Sequence, residues 1–366
     1  MSEILLRFGS SRPDTLPSTK MLLSIKTNLF FQVKASFDGE WVCPKEDGTA
    51  LYENSGYGRP DGNRLKLFPE EALYLAGKGK LTVDKLDFDS LARKFSEKSG
   101  FLRRFLVYRD IRERGLVIQT GPQDFRVFRR GEKPGKGRSQ YLIRVLSERD
   151  YVDFTAIAAD SQSAVNMRKQ FVVAVVDDEN EITYYEIKTS ELPKGNSCEE
   201  IKPIKGQVTG NSVFVMQKDG KNELPEEAMF GTWFDDSRLV LSPLETLYLL
   251  KKGLLKIEGK GGEKELADSL YEEDPELPSK MTVYESLRDS CYIPRTAYKF
   301  GHHFRVYTER SNHSAMLVHA IPGGSGMPMS RISRSVRLAH SVRKKMLFAC
   351  VEQNNIEYIE FARIKL

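Results

Sequence analysis

The sequence predicts a mixed α/β fold built as a tandem duplication, each copy an N-terminal α/β lobe followed by a second mixed α/β lobe. Three observations carry this expectation: short phrases recur at a fixed offset, helix and strand patterns alternate within each copy, and the composition is that of a folded protein. The 366 residues are 40% hydrophobic and 29% charged, ordinary for a globular chain and enough for two or three cores.

The repeat is read from five pairs in the same order. LFPEEALYL (67–75) returns as LSPLETLYL (241–249). YGRPDGNRLK precedes the first and FGTWFDDSRLV the second, VYRDIRERGLVI (107–118) matches VYESLRDSCYI (283–293), and FRVF (125–128) matches FRVY (304–307). RKQFVVAVV from Arg168 returns as RKKMLFACV from Arg343. The offset stays near 175 residues throughout, which implies duplication. LPKGNSCEEIKPIKG, polar and rich in Gly and Pro, reads as the linker. The lobes are expected at 1–95 and 96–190 in copy one, and at 191–275 and 276–366 in copy two.

Each N-terminal lobe carries a helix opened by Pro and acids and closed by Lys and Gly, FPEEALYLAGKGKL or SPLETLYLLKKGLL, as capping and the helix dipole favour. Each second lobe opens with a helix, Tyr108 to Arg114 or Tyr284 to Ser290. β-Branched and aromatic runs then predict strands: DFRVFRR, SQYLIRV, FVVAVVD and ITYYEIK in copy one, and HFRVYTE, SAMLVHAI, MLFACVE and IEYIEFARI in copy two. A further helix, Ser161 to Gln170 or Ser333 to Lys345, lies between the second and third strands.

No run approaches the roughly 18–20 apolar residues of a membrane span, and the first residues lack the pattern of a signal peptide. A cytoplasmic protein is expected. Cys43, Cys198, Cys291 and Cys350 are far apart in sequence. They lack the close pairing of a zinc site, and disulfides are not expected in a reducing compartment. Net charge is only +5, but MSRISRSVRLAHSVRKKM (329–346) holds six Lys or Arg and no acid, a plausible phosphate footprint.

All five histidines, His302, His303, His313, His319 and His340, fall in copy two. If acid–base catalysis near neutral pH uses histidine, only copy two can perform it. Tyr307 faces Phe128, His313 faces Arg138, and Lys344 faces Lys169. Copy one thus keeps one of three polar functions, as expected of a degenerate copy retained for architecture. Magnesium chemistry needs converging carboxylates, and no acid lies between Arg310 and Glu352. VVDDENEITYY places Asp177, Asp178, Glu179 and Glu181 at a hairpin tip whose counterpart, VEQNNIEYI, is nearly uncharged.

YKFGHHFRVY (298–307), HSAMLVHA (313–320) and RSVRLAHSVRKKMLFA (334–349) resemble the archaeal tRNA-splicing endonucleases. YGRPDGNRLKLFPEEALYL is similar to that family's N-terminal lobe. The resemblance covers most of both copies, is weakest over residues 1–45, and fits the family's homodimeric class, whose subunit fuses a pseudo-catalytic and a catalytic unit. It implies nuclease-like second lobes, a substrate of precursor tRNA bearing a bulge-helix-bulge, and a catalytic triad of Tyr307, His313 and Lys344. The implied reaction needs no metal and no cofactor: the ribose 2′-OH attacks the adjacent phosphate, giving 2′,3′-cyclic phosphate and 5′-OH ends. Tyr307 would take the 2′-OH proton, His313 would protonate the leaving oxygen, and Lys344 would steady the phosphorane. Arg337 and Arg363 would sandwich a flipped-out bulge base. Asp177, Asp178 and Glu179 would dock on a partner subunit. Arg337 lies seven residues before Lys344, so a continuous helix would put both on one face.

Overall fold

The computed structural model describes residues 32–366 apart from 46–47, 191, 193–194, 196–197, 217–223, 259–261 and 354. The first residues and parts of the expected linker therefore lie outside the described residues. The mixed α/β duplication is present, with the same local devices in both copies.

In the N-terminal lobe of copy one, the strands Val42–Pro44, Val33–Phe37 and Leu81–Val83 form a sheet against the helices Pro69–Gly77 and Phe88–Ser96. Copy two repeats this with a five-stranded sheet and the helix Pro243–Lys251. Pro opens both helices, where its missing N–H is not needed. Two residues later a buried carboxylate turns back on the chain. Glu71 accepts from the N–H groups of Phe68 (3.0 Å) and Gly58 (3.1 Å). Glu245 accepts from those of Ser242 (2.8 Å) and Gly231 (3.0 Å). Burial pushes the Glu71 carboxyl up to about 7; at Glu245 a guanidinium, Arg295 at 3.0 Å, is the added partner.

A second device ties each pair of lobes together. Arg112 donates to the Tyr108 hydroxyl at 3.0 Å and lies 3.9 Å over the Tyr57 ring. Arg288 donates to the Tyr284 hydroxyl at 3.0 Å and lies 3.9 Å over the Phe230 ring. Both sit on the helices that open the second lobes, Phe101–Glu113 and Leu277–Asp289. These begin seven residues earlier than the sequence suggests, because Phe101, Phe105 and Leu106, like Leu277 and Met281, bury their side chains.

The second lobes share one ten-stranded sheet. From one edge it runs Ile293–Ala297, His302–Tyr307, Met316–Pro322, Lys345–Glu352, Asn355–Ile364, and then Ile182–Ser190, Gln170–Val176, Ser139–Ser147, Phe125–Phe128, Ile118–Thr120. The two copies meet where Ile182–Ser190 pairs antiparallel with Asn355–Ile364, Ile187 opposite Phe361. These strands are counterparts, so the junction is a pseudo-twofold. The helices Phe154–Asn166 and Met329–Ser341 cover one face over a core drawn from both copies, with the Phe154 and Phe348 rings 5.0 Å apart. Gly326–Pro328 also pairs with Tyr151–Asp153. Gly326 passes so close to the Val152 carbonyl that a Cβ would collide with it. Buried apolar surface on this scale is the main stabilising term between the copies.

Two further expectations are corrected. The last helix ends at Ser341, so Lys344 does not share a helical face with Arg337. Arg343 adopts a left-handed φ of 55°, and the Lys344 N–H closes the helix on the Ala339 carbonyl at 2.8 Å, the six-residue closure of a helix stop. Copy one stops identically, with Arg168 at φ 56° and the Lys169 N–H on Ala164 at 2.8 Å. Against the expectation of four free thiols, Cys198 and Cys291 are disulfide-bonded, 93 residues apart with Cα atoms at 4.8 Å. The chain before Cys198 is pinned to the end of the Leu277–Asp289 helix, where the Gly195 N–H donates to the Ser290 carbonyl at 2.6 Å. This brings two thiols distant in sequence within bonding range.

Candidate active site

Strand register decides where the site residues stand. Val306 is opposite Met316, so Tyr307 is level with Ala315, whose N–H donates to the Val306 carbonyl at 2.8 Å. Met316 is opposite Lys345, so Ala315 is level with Lys344. Leu347 is opposite Glu360, so three residues further Lys344 is level with Arg363. Tyr307, Ala315, Lys344 and Arg363 thus form one row across four neighbouring segments of the sheet, about 15 Å long at the usual strand spacing.

Alternation sets the face. Leu317, Met346 and Phe361 belong to the core beneath the Met329–Ser341 helix. Each lies two residues from a member of the row, so the whole row faces that helix. The row stands at a sheet end: Ala315 and Arg363 are exposed there and Lys344 is half-buried, while Tyr307 is buried.

His313 lies two residues before Ala315, exposed in the connection between the strands. Its N–H donates to the Ser311 hydroxyl at 3.1 Å. The next residue, Ser314, is buried, and its carbonyl accepts from the Lys344 ammonium at 2.7 Å. Lys344 is therefore clamped to the residue beside His313. Burial, then the nearby Arg305, holds the Lys344 ammonium below the ordinary lysine pKa. Lys345 turns away toward Glu360 at 3.5 Å. Tyr307 is 5% exposed, and its hydroxyl has no hydrogen bond among the described residues.

Arg337 is exposed on the Met329–Ser341 helix, in a row with exposed Arg331 and Arg334 at three-residue spacing, and Arg363 is exposed at the end of its strand. No carboxylate pairs with these four arginines among the described residues. The acidic tip is partly used within the chain. Asp177 accepts from the N–H groups of Glu179 (3.0 Å) and Glu181 (2.8 Å), and Asp178 pairs with Arg149. Glu179 is exposed.

Copy one keeps the frame and changes the groups. Lys169 donates to the Ser139 carbonyl at 3.1 Å and hydroxyl at 2.7 Å, but the phenol position holds Phe128, which is buried. Reading the sequence missed two groups around the site. Arg295 reaches the carbonyls of Met229 (2.6 Å) and Gly231 (2.9 Å) and the Glu245 carboxylate. The Arg305 guanidinium lies 5.8 Å from the centre of the Tyr307 ring, and its charge helps to lower the Lys344 pKa. The signal for the first was available, since Gln119 occupies the counterpart of Arg295 and binds the Gly58 carbonyl at 2.7 Å.

Comparison with known proteins agrees with the internal repeat. Residues 33–92 and 204–271 match the family described as tRNA intron endonuclease, N-terminal domain. Residues 101–184 and 277–358 match that described as tRNA intron endonuclease, catalytic C-terminal domain. A tRNA-splicing endonuclease of Methanococcoides burtonii is 38% identical over 86% of this chain and 95% of its own length. One from Methanosarcina barkeri is 36% identical over 91% of this chain and 100% of its own. One from Natronomonas pharaonis is 33% identical over 86% and 94%. Among the described residues no helix is long and apolar enough to cross a membrane.

Proposed function

Because the chain belongs to the tRNA intron endonuclease family, we propose that it excises introns from precursor tRNA, in the cytoplasm, using one active site per chain in copy two. The observation that carries the reading is the row of Tyr307, Ala315, Lys344 and Arg363, with His313 held beside it through Ser314 and Lys344.

Tyr307 takes the proton of the ribose 2′-OH as that oxygen attacks the adjacent phosphorus. The bond from phosphorus to the 5′-oxygen breaks, and His313 gives that oxygen its proton. Lys344 balances the extra charge on the phosphorane. The products are a 2′,3′-cyclic phosphate and a 5′-OH. The nucleophile is internal to the RNA, so no metal-activated water is required. Arg337 and Arg363 offer guanidinium planes on which an extruded base stacks; a helix flanked by two bulges supplies such bases. An intron has two ends and each chain one complete set of groups, so the working form is a homodimer. Asp177, Asp178 and Glu179 of one subunit dock on the other.

The test is incubation of the protein with an intron-containing precursor tRNA in excess EDTA. Cleavage at both exon–intron junctions is expected. His313→Ala should lose roughly 10²–10⁴ in single-turnover rate while keeping its unfolding temperature, because His313 is exposed. No cleavage by the wild-type protein, or full activity in His313→Ala, would contradict the reading.

A further inference from the structure

Arg305 precedes Tyr307 by two residues on the strand His302–Tyr307 and so shares its face. Its guanidinium carbon lies 5.8 Å from the centre of the Tyr307 ring, and its charge helps lower the Lys344 pKa. Both of these neighbours belong to the proposed triad. Arg305 is nevertheless without a hydrogen bond or ion pair among the described residues, and its Nε is buried without an acceptor.

The duplication shows what changed around it. In copy one the counterpart Arg126 donates from Nη2 to the Gln119 amide oxygen at 2.8 Å. Gln119 stands directly across the strand pair from Arg126. Across from Arg305 stands Arg295 instead. A guanidinium cannot accept a hydrogen bond, and Arg295 is itself occupied by Glu245 at 3.0 Å. Both copies keep the arginine. The copy holding Tyr307, His313 and Lys344 has replaced its acceptor with a cation, which leaves the guanidinium donors unspent beside the proposed triad.

We propose that Arg305 is a further catalytic residue, donating its free Nη hydrogens to the non-bridging oxygens of the scissile phosphodiester. The proposal rests on the reading of the site given above. A guanidinium fork matches two oxygens of one phosphate, whereas Lys344, with one donor spent on Ser314, supplies a point charge. The phosphate passes from one negative charge to two as the 2′-oxygen adds, so the contact strengthens in the transition state and counts in the rate.

The experiment compares single-turnover cleavage of an intron-containing precursor tRNA by wild type, Arg305→Gln, Arg305→Lys and Arg126→Gln. Each is run with oxygen or one sulfur at a non-bridging position of the scissile phosphate, and thermal unfolding is recorded alongside. Arg305→Gln is expected to slow cleavage at saturating enzyme about 100-fold, and Arg126→Gln less than about 3-fold. The sulfur penalty seen in wild type should shrink in Arg305→Gln, a response that lost packing would not produce. If Arg305→Gln unfolds, Arg305→Lys carries the test through the same shrinkage. Wild-type rates in Arg305→Gln, an equal loss in Arg126→Gln, or an unchanged sulfur penalty would overturn the proposal alone. A wild-type protein that does not cleave would overturn the parent reading as well.

Discussion

The Lys344 ammonium donates to the Ser314 carbonyl at 2.7 Å, which fixes its charge one residue from His313. The same bond in copy one joins Lys169 to Ser139, where Phe128 and Arg138 stand at the positions of Tyr307 and His313. Lys344→Ala should therefore cost about 10²–10³ in single-turnover cleavage, as removal of a transition-state donor does, while Lys169→Ala leaves the rate within a few-fold. The ammonium is active when charged, so activity should fall as pH rises through its pKa. Burial and Arg305 lower that pKa, so the lysine's own contribution should be lost at a lower pH than for an ordinary lysine. Equal losses in the two variants would contradict the assignment.

How much of this was legible in the sequence depends on the length scale of the interaction. The repeat, the loss of Tyr307 and His313 in copy one, and the helix caps at Pro69 and Pro243 are local and were readable. Lys344 was misplaced onto a helix because the left-handed Arg343 that ends it carries no glycine to announce the stop. Arg305 was invisible because it is kept in both copies. What differs is its cross-strand partner, Gln119 or Arg295, and register between strands is a non-local property. The Cys198–Cys291 bond escaped for the same reason, since proximity across 93 residues leaves no trace in spacing.

Acid should destabilise copy two through its histidines. His302, His303 and His319 are held down at about 4, chiefly by burial. The His303 and His319 rings stack at 4.1 Å. Facing groups are Glu276, 3.5 Å from His303, with Asp274, Lys280 and Arg331. An unfolded histidine takes up its proton near 6.5, so between about 6.5 and 4 the unfolded chain binds more protons than the folded one. This contribution is complete above 6.5 and is lost as pH falls. The unfolding temperature should drop by several degrees between pH 7.5 and pH 5, and less in His302→Phe. An identical drop in that variant would contradict the assignment.

The acidic tip offers a test of assembly. The Asp178–Arg149 pair is solvent-exposed, 56% and 76%, so it contributes little to folding. For the homodimer proposed above, Asp178→Lys combined with Glu179→Lys should leave the unfolding of each chain intact, halve the mass seen by light scattering and reduce intron excision. A variant that keeps the dimer mass would remove this loop from the interface.

Thiol titration checks the cysteine pairing. Unfolded without reductant, the protein should expose two reactive thiols, Cys43 and Cys350, and four after reduction. Four thiols before reduction would show that Cys198 and Cys291 are unpaired.

The central claim is an internal 2′-OH nucleophile driven by protein side chains, and analysis of the RNA ends tests it most directly. Precursor tRNA labelled at the junctions is cleaved in excess EDTA and the products are resolved after phosphatase and kinase treatment. The 5′ exon should end in a 2′,3′-cyclic phosphate and the intron should begin with a 5′-OH, with no cleavage where the attacking ribose is 2′-deoxy. A 3′-OH with a 5′-phosphate, or cleavage of the deoxy substrate at the normal rate, would contradict it.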